Sequence, residues 1–287
     1  MSKLKITNKM NNKFNNINNK IIFDTLKNIA ARFSNAAKDT IIFENSGKHL
    51  FEINIIIKNL NEDGKILDVG GGMGINLLCI KELLNKNSGL YLIDRFEEYT
   101  EENRMGSSDI GIKLMKEAGI LVINQDFWNN KNFPFDFNSF DLITIIDVTE
   151  HLPGSPFELF EEIKRVLKPG GVLVFGGPNS VSISKRLRML IGKHPYILLE
   201  SWLDRNYYSH YREYSKKDNI FIFEKLGFKN IKTFMVAEPT KTRARYHYFD
   251  NHKLKFSFKL ITLYILTILE ILFPPLRSTI YCIAEKP

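Results

Sequence analysis

The residues best suited to bind a ligand lie between Asp68 and Gly74, where one aspartate and three glycines occupy every second position. They follow an apolar run at positions 66–69 and precede a run with helical character at positions 75–84. Glycine permits positive φ and lets a ligand lie against the main chain. The helix behind the turn adds free N–H groups and a positive dipole end. This pattern predicts a small-molecule site, although a tight turn without a ligand is the alternative.

The glycine spacing distinguishes between two classes of ligand. A dinucleotide fingerprint, G-x-G-x-x-G, would require glycine where Ile75 or Leu77 stands. The pattern Asp68-x-Gly70-x-Gly72-x-Gly74 instead resembles the first motif of class I S-adenosylmethionine-dependent methyltransferases. The resemblance implies that these four residues hold the methionine end of the cofactor, whose ammonium and sulfonium groups suit a nearby carboxylate.

Further cofactor contacts are implied by the same resemblance. Asp94 ends the run GLYLID and would accept hydrogen bonds from the ribose hydroxyls, with Arg95 beside it. The alternative for Asp94 is a helix N-cap. Asp126 would bind the adenine amino group and Phe127 would pack on the adenine ring. Asp147, at the end of a nearly all-apolar run, completes the predicted cofactor site.

Candidate catalytic residues follow this apolar run in the segment Asp147-Val148-Thr149-Glu150-His151-Leu152, which resembles the "EHL" of many small-molecule methyltransferases. Ligands of open α/β sheets bind beyond the carboxyl ends of the strands, so Glu150 and His151 are predicted on the catalytic side. Asp147, Glu150 and His151 could together hold a divalent cation. Such residues also occur as ordinary polar groups at strand ends, and we expect no metal.

A third candidate, His210, lies in the segment from Ser209 to Ser215, followed later by Gly227-Phe228. This resembles a "HxREY(S/T)…GF" pattern of bacterial methyltransferases that act on sugars and lipid-linked intermediates. An imidazole can take a proton from a hydroxyl that attacks a methyl group, so His210 is the first candidate for a general base. A structural histidine that bonds a loop carbonyl is the alternative.

These residues require a parallel sheet to bring them to one edge. The resemblance, with motifs in order from Lys65 to Asn179, implies an α/β Rossmann-like fold: a seven-stranded, doubly wound, mostly parallel sheet with an antiparallel last strand. Strands are predicted at 66–69, 89–94, 120–124, 142–147, 172–175, 229–238 and 279–286. Helices are predicted at 20–33, 48–60 and 75–84, and from a capping box at Ser155 to Leu167.

The predicted organisation is one methyltransferase domain with additions. Residues 1–20 form a disordered tail, 21–60 a helical cap over the cofactor mouth, 61–178 the cofactor-binding core, 179–227 a substrate cap and 239–278 a C-terminal insertion. Two cysteines exclude a disulfide framework, and no signal peptide is recognisable, so a cytoplasmic setting is expected.

The sequence does not decide what the C-terminal insertion packs against. Its uncharged run from Leu260 to Leu269 is too short to span a membrane. A buried or homodimer-forming helix is one interpretation, and an interfacial helix at the inner face of an anionic membrane, flanked by Lys253, Lys255, Lys259 and Arg277, is another.

The function predicted from these features is O-methylation of a saccharide or lipid-linked small molecule, with S-adenosylmethionine as cofactor. The alternative is a membrane-surface binding protein that keeps the fold without catalysis. RNA methylation is a third hypothesis, because the net charge is +8. Nucleic acid is not expected as a partner, because no RNA-binding module or base-methylating motif is recognisable.

Overall fold

A computed structural model describes residues 17–96, 108–195, 203, 210–237 and 258–287. Within these residues, seven strands form one sheet in the order β3-β2-β1-β4-β5-β7-β6. The strands are β1 (Ile66–Val69), β2 (Leu90–Asp94), β3 (Leu121–Asn124), β4 (Phe140–Ile146), β5 (Leu167–Pro178), β6 (Lys229–Val236) and β7 (Thr279–Glu285). Strands β1 to β5 pair in parallel, and β7 lies antiparallel between β5 and β6. The predicted fold class is confirmed.

Helices cover both faces of the sheet. They are α1 (Asn19–Ala30), α2 (Asn35–Asp39), α3 (Ser46–Asn59), α4 (Ile75–Leu84), α5 (Ser108–Glu117), α6 (Phe157–Val166), α7 (Ile183–Leu190), α8 (Lys216–Lys225) and α9 (Phe258–Leu272). The sheet separates two hydrophobic clusters, and adjacent residues of β1 point to different ones. Ile66 packs in one cluster with Leu77 of α4, and Leu67 packs in the other with Phe160 of α6. This alternation fixes the sheet between two helical layers.

The N-terminal region contains more, shorter helical segments than the sequence pattern indicates. Two helices were expected before β1, but a short α2 and a π-helical turn at Thr40–Glu44 separate α1 from α3. The predicted tail ends earlier than position 20, because the Asn18 side chain accepts hydrogen bonds from the backbone of Lys20 and Ile21 and α1 begins at Asn19. Both α1 and α3 pack against α4.

The capping box predicted at Ser155 is wrong. Its hydroxyl accepts a hydrogen bond from the backbone N–H of Phe157 at 3.3 Å, but the residue at the N-cap of α6 is Pro156, which has no side-chain cap bond to make. Glu158, which should complete the box, pairs with Lys131 instead. A true capping box is present at the start of α8, where Ser215 and Asp218 bond each other's backbone.

Several strand boundaries differ from the prediction for identifiable reasons. β5 starts at Leu167 rather than 172, because Leu167 pairs with Phe140 and Gly170 donates a hydrogen bond to Lys286. β4 ends at Ile146, because Asp147 adopts a left-handed conformation with φ of 53°. β6 ends at Val236, and the predicted last residue, 238, lies outside the described part of the chain.

Parts of both predicted additions also lie outside the described residues. In the substrate cap these are 196–202 and 204–209, and in the insertion the basic stretch up to residue 257. The described part of the insertion forms α9 and a 3₁₀ turn at Pro274–Leu276. Among the described residues, no helix is long and apolar enough to cross a membrane.

Candidate functional site

The glycine turn connects β1 to α4 and contains one glycine with open space beside it. Gly70, Gly72 and Gly74 all have positive φ, at 72°, 53° and 71°. A Cβ on Gly70 would lie 2.3 Å from Val148, and a Cβ on Gly74 would lie 2.1 Å from the sulfur of Met115. A Cβ on Gly72 would meet no atom of the described residues within 4 Å. Packing therefore explains Gly70 and Gly74, whereas Gly72 borders a space that a ligand can use.

Asp94 connects the end of β2 to this turn. Its carboxylate accepts hydrogen bonds from the backbone N–H groups of Gly72 at 2.8 Å and Phe96 at 3.0 Å. Phe96 has φ of 43°, so the chain leaves β2 through a left-handed residue. The predicted ribose acid thus lies directly beside the open glycine.

Asp68 lies beneath the turn and is 5% exposed. Its Oδ1 accepts a hydrogen bond from the hydroxyl of Thr144 at 2.6 Å, and a Cβ on Gly71 would lie 2.3 Å from its Oδ2. Burial, together with the charges of Glu52 and Asp94, raises the pKa of Asp68 to about 7, although the Thr144 hydrogen bond opposes this. The position of Asp68 suits support of the turn as well as attraction of a cationic ligand.

The predicted adenine residues follow β3. The carboxylate of Asp126 accepts hydrogen bonds from the backbone of Trp128 at 2.9 Å and of Asn129 at 3.1 Å, and Arg95 lies 3.7 Å from it. Burial raises the pKa of Asp126, but these backbone hydrogen bonds outweigh burial and the net pKa is lowered. Phe127 is 9% exposed and packs in the core. Little of its ring is available to a ligand in this conformation.

Asp147 forms an ion pair with Lys48 of α3. Its backbone N–H donates to the carbonyl of Gly176 at 3.0 Å, which holds the left-handed turn after β4. The ion pair links the N-terminal helices to the carboxyl edge of the sheet. Because Asp147 is paired here, it does not join Glu150 and His151 in the cation set that the sequence left as a possibility.

Glu150, His151 and His210 form the cluster that the sequence predicted as catalytic. One donor atom from each lies within 4.8 Å of the other two. The rings of His151 and His210 meet edge to face, with centroids 4.7 Å apart. The Glu150 carbonyl accepts the backbone N–H of Tyr211 at 2.6 Å, so the segment after His210 is tied to the turn after β4. His210 thus takes the place that the sequence assigned to Asp147.

The charged side chains around this cluster are paired with one another. His210 Nδ1 lies 2.9 Å from Glu213, and Glu213 also pairs with Lys185 of α7. Burial lowers the pKa of His210 to about 4, assisted by the charges of His151 and Lys185. Burial raises the pKa of Glu150 to about 7 and lowers that of Lys185 to about 8. The cluster therefore lies in surroundings that disfavour isolated charge.

Comparison with known proteins identifies the family. A family model described as a methyltransferase domain matches residues 49–233, which is more than half of the 287-residue chain. The chain belongs to this methyltransferase family. The match begins in α3 and ends in β6, so it includes the glycine turn and every candidate site residue. Class I methyltransferases use S-adenosylmethionine, and the predictions of enzyme class and cofactor are confirmed at the level of the family.

Individual relatives of this methyltransferase are distant. A sterol 24-C-methyltransferase of Candida albicans is 31% identical over 119 residues, covering 40% of this chain and 28% of that protein. A demethylmenaquinone methyltransferase of Bacillus subtilis is 25% identical over 187 residues, covering 61% of this chain and 76% of that protein. The chain thus spans less than a third of the sterol enzyme and about three quarters of the quinone enzyme.

Solved structures support the fold of the methyltransferase. An S-adenosylmethionine-dependent methyltransferase from Thermotoga maritima superposes with a TM-score of 0.53 at 16% identity, covering 91% of this chain and 100% of that chain. At this identity the similarity concerns the fold alone.

The methyltransferase site contains residues that sequence reasoning missed. Lys48, Lys185 and Glu213 surround the predicted residues, yet none was assigned a role. A signal existed for Glu213, because it stands three residues after His210 within the recognised segment. No local pattern marks Lys48 or Lys185, which reach the site only through the packing of α3 and α7.

Proposed function

We propose that this domain transfers a methyl group from S-adenosylmethionine to a hydroxyl oxygen of a saccharide or lipid-linked small molecule. The observation that carries the proposal is the open space beside Gly72, bordered by Asp94. A Cβ there would meet no atom of the part of the chain that the structure describes, so the turn fits a ligand that approaches the main chain. Family membership supports the identity of that ligand.

The cofactor side of the site follows from the residues around the glycine turn. In the proposal, Gly70, Gly72 and Gly74 form the cradle, and Asp68 favours the positive charge of the ligand from below. Asp94 accepts the ribose hydroxyls while it holds the Gly72 N–H. The adenine lies near Arg95 and Asp126, and Phe127 would have to expose more of its ring to pack against it.

Asp147 is the last residue proposed for the cofactor site. Its ion pair with Lys48 must loosen if the ammonium group of the cofactor is to approach the carboxylate. Because Lys48 belongs to α3, cofactor binding would then change a contact that the N-terminal helices make with the site. This gives the predicted helical cap a specific contact through which it can act.

The acceptor side is proposed at Glu150, His151 and His210. The bound donor supplies a methyl group on a positively charged sulfur, so the protein has mainly to align the acceptor and remove its proton. Alignment alone can contribute roughly 7–11 kcal/mol of the barrier. The cluster follows β4, beyond the same sheet edge as the glycine turn, which suits a group that meets the acceptor hydroxyl. The segment around His210 supports the saccharide and lipid-linked classes by resemblance.

The test is methyl transfer from labelled S-adenosylmethionine to a panel of free saccharides, lipid-linked saccharides, sterols and quinones. The proposal expects label in an ether bond of a saccharide or lipid-linked product, and a loss of at least about tenfold in kcat/KM for Glu150→Gln. Label only on carbon or nitrogen would overturn the acceptor class. Cofactor binding without turnover on any acceptor would favour the non-catalytic alternative.

A membrane-facing surface is the second proposed function, and exposed apolar residues on α7 and α9 favour it. The two helices are in contact. Leu190 is 80% exposed and Ile191 69%, while Leu272 on α9 is 63% exposed. Lys193 is exposed just after this end of α7, and the exposed Arg186 donates to the carbonyl of Val181 near the other end, so both supply positive charge that suits an anionic lipid surface. Such a surface beside the predicted substrate cap would serve a lipid-linked acceptor.

One predicted lipid contact must be withdrawn. Arg277 donates hydrogen bonds to the carbonyls of Glu270 at 3.0 Å and Met235 at 2.8 Å, so it anchors α9 to β6. Lys253 and Lys255 lie outside the described residues, and the side chain of Lys259 is not described. The positive charge proposed for lipid attraction therefore comes from α7.

Vesicle flotation tests this surface. The wild-type protein should float with vesicles that contain phosphatidylglycerol and not with neutral phosphatidylcholine vesicles. Ile191→Glu should abolish flotation. Phe221→Glu, at an apolar residue of α8 that is 64% exposed, is the matched control and should float as the wild type does. Equal loss in both variants, or no flotation of the wild type, would refute the membrane surface, and a dimer measured by sedimentation would then favour the homodimer interpretation of α9.

A further inference from the structure

We propose that Glu150, His151 and His210 form a binding site for one divalent transition-metal ion. The site combines a carboxylate and two imidazoles from two separate segments of the chain. One donor atom of each residue lies within 4.8 Å of the other two. Ions such as Zn²⁺ hold such ligands at about 2.0–2.2 Å, so small side-chain rotations would bring all three onto one ion.

An unpartnered buried oxygen gives independent support. Glu150 is 1% exposed, and its Oε2 has no hydrogen-bond partner among the residues that the structure describes. A buried carboxylate oxygen left without a partner costs free energy, so such an atom calls for an ion, a ligand or water. The hydroxyls of Thr149 and Tyr214 are also buried and find no partner within the described part of the chain. Unsatisfied polar atoms thus accumulate on and beside the proposed ligand.

The orientation of His210 resembles that of a metal ligand. Its Nδ1 lies 2.9 Å from the carboxylate of Glu213, which is 6% exposed. Metal-bound histidines usually donate their second ring N–H to a carboxylate or carbonyl, which fixes the ring and increases its basicity. In this arrangement Nε2 is the nitrogen left for the ion. Glu213 would therefore be a positioning residue for the site.

The positive charge of nearby Lys185 does not exclude a metal ion, because a carboxylate balances it. Its ammonium pairs with Glu213 and donates to the carbonyl of Asn179 at 3.0 Å. Glu150 remains the negative ligand, and two neutral imidazoles complete the set. This mixture of nitrogen and oxygen donors favours Zn²⁺, Mn²⁺, Fe²⁺ or Co²⁺ over Mg²⁺ and Ca²⁺, which prefer oxygen alone.

The catalytic role of the ion rests on the proposed function, whereas ion binding itself does not. An acceptor hydroxyl bound to the ion has a lowered pKa. Its O–H bond breaks and the proton passes to solvent. The oxygen then forms a bond to the methyl carbon as the carbon–sulfur bond breaks, leaving the electron pair on sulfur. With the ion bound, the lone pairs of Glu150 and the imidazoles that bind it are engaged, so the ion would act as a Lewis acid and solvent would accept the proton in place of a protein base.

Cobalt titration of untagged, chelator-treated protein tests the site without cofactor or acceptor. Co²⁺ bound to nitrogen and oxygen ligands of a protein gives d–d absorption stronger than that of the hydrated ion, and added Zn²⁺ should abolish it by competition. His210→Gln should weaken Co²⁺ binding by at least about tenfold. Glu213→Gln, which keeps all three ligands, should weaken it by about 10- to 100-fold.

His194→Gln is the matched control, because it removes an imidazole from an exposed position after α7. Its affinity for Co²⁺ should equal that of the wild type, and circular dichroism should show that each variant is folded. No absorption in the wild type, or equal affinity in wild type and His210→Gln, would overturn the metal site. Cofactor titration of the same samples separates that result from a failure of the proposed function, since cofactor binding does not require the ion.

Discussion

Replacing Asp94 by alanine should weaken cofactor binding by a measurable and bounded amount. The carboxylate accepts the backbone N–H of Gly72 at 2.8 Å and that of Phe96 at 3.0 Å, beside the open space at the glycine turn. Hydrogen bonds to a charged group contribute roughly 1.5–3 kcal/mol each. Loss of the ribose contact alone should therefore raise the Kd for S-adenosylmethionine by about 10- to 150-fold.

Two further variants separate binding from stability. Asp94→Asn keeps an oxygen for the Gly72 N–H and loses the charge, so its Kd should lie between those of wild type and Asp94→Ala. Asp141→Ala removes a carboxylate that accepts the Lys65 N–H at 2.8 Å and pairs with Lys168 at the start of β4. It should lower stability and leave the Kd unchanged. Calorimetry that gives an unchanged Kd for Asp94→Ala, or an equal loss for Asp141→Ala, would refute the reasoning.

Three further predictions concern stability and are checked by urea unfolding. The hydrogen bond from His49 and the charge of Lys48 outweigh burial and lower the pKa of Glu52 from 4.5 to about 2, so Glu52 should contribute about 3 kcal/mol above pH 4.5 that is lost as the pH falls through 2. Glu52→Gln should lack this acid-dependent step. Phe223→Ala should cost about 3–5 kcal/mol, because the ring is 1% exposed and buried among other aromatic rings. Gly74→Ala should destabilise the protein, since Gly74 has φ of 71° and its Cβ would overlap Met115, and a smaller cost of Gly74→Ala in a Met115→Ala background than in the wild type would show that the overlap contributes.

The sequence predicted the sheet well because its strands are apolar and its turns are marked. β1 and β4 read as buried strands, and the glycines after β1 locate the switch from strand to helix. Boundaries were less accurate where pairing partners decide them. Leu167 joins β5 only because Phe140 lies beside it, and this contact spans residues far apart in the chain.

The candidate site was predicted in its residue types and less well in its connections. Glu150 and His151 are adjacent in sequence, so their proximity was evident. The approach of His210 depends on how the segment after α7 folds back, and no local spacing encodes it. The separation of Asp147 from Glu150 and His151 could not be predicted, because its left-handed φ of 53° and its pairing with Lys48 are tertiary features.

Calorimetric titration of S-adenosylmethionine into Gly72→Arg and Gly119→Arg tests the central claim most directly. Both glycines have positive φ, at 53° and 75°, and a Cβ on either would meet none of the described atoms within 4 Å, so the two substitutions impose similar backbone strain. Only Gly72 borders the proposed cofactor space. Binding lost in Gly72→Arg and retained in Gly119→Arg is the predicted result, whereas full binding in Gly72→Arg or none in the folded wild type would contradict the account.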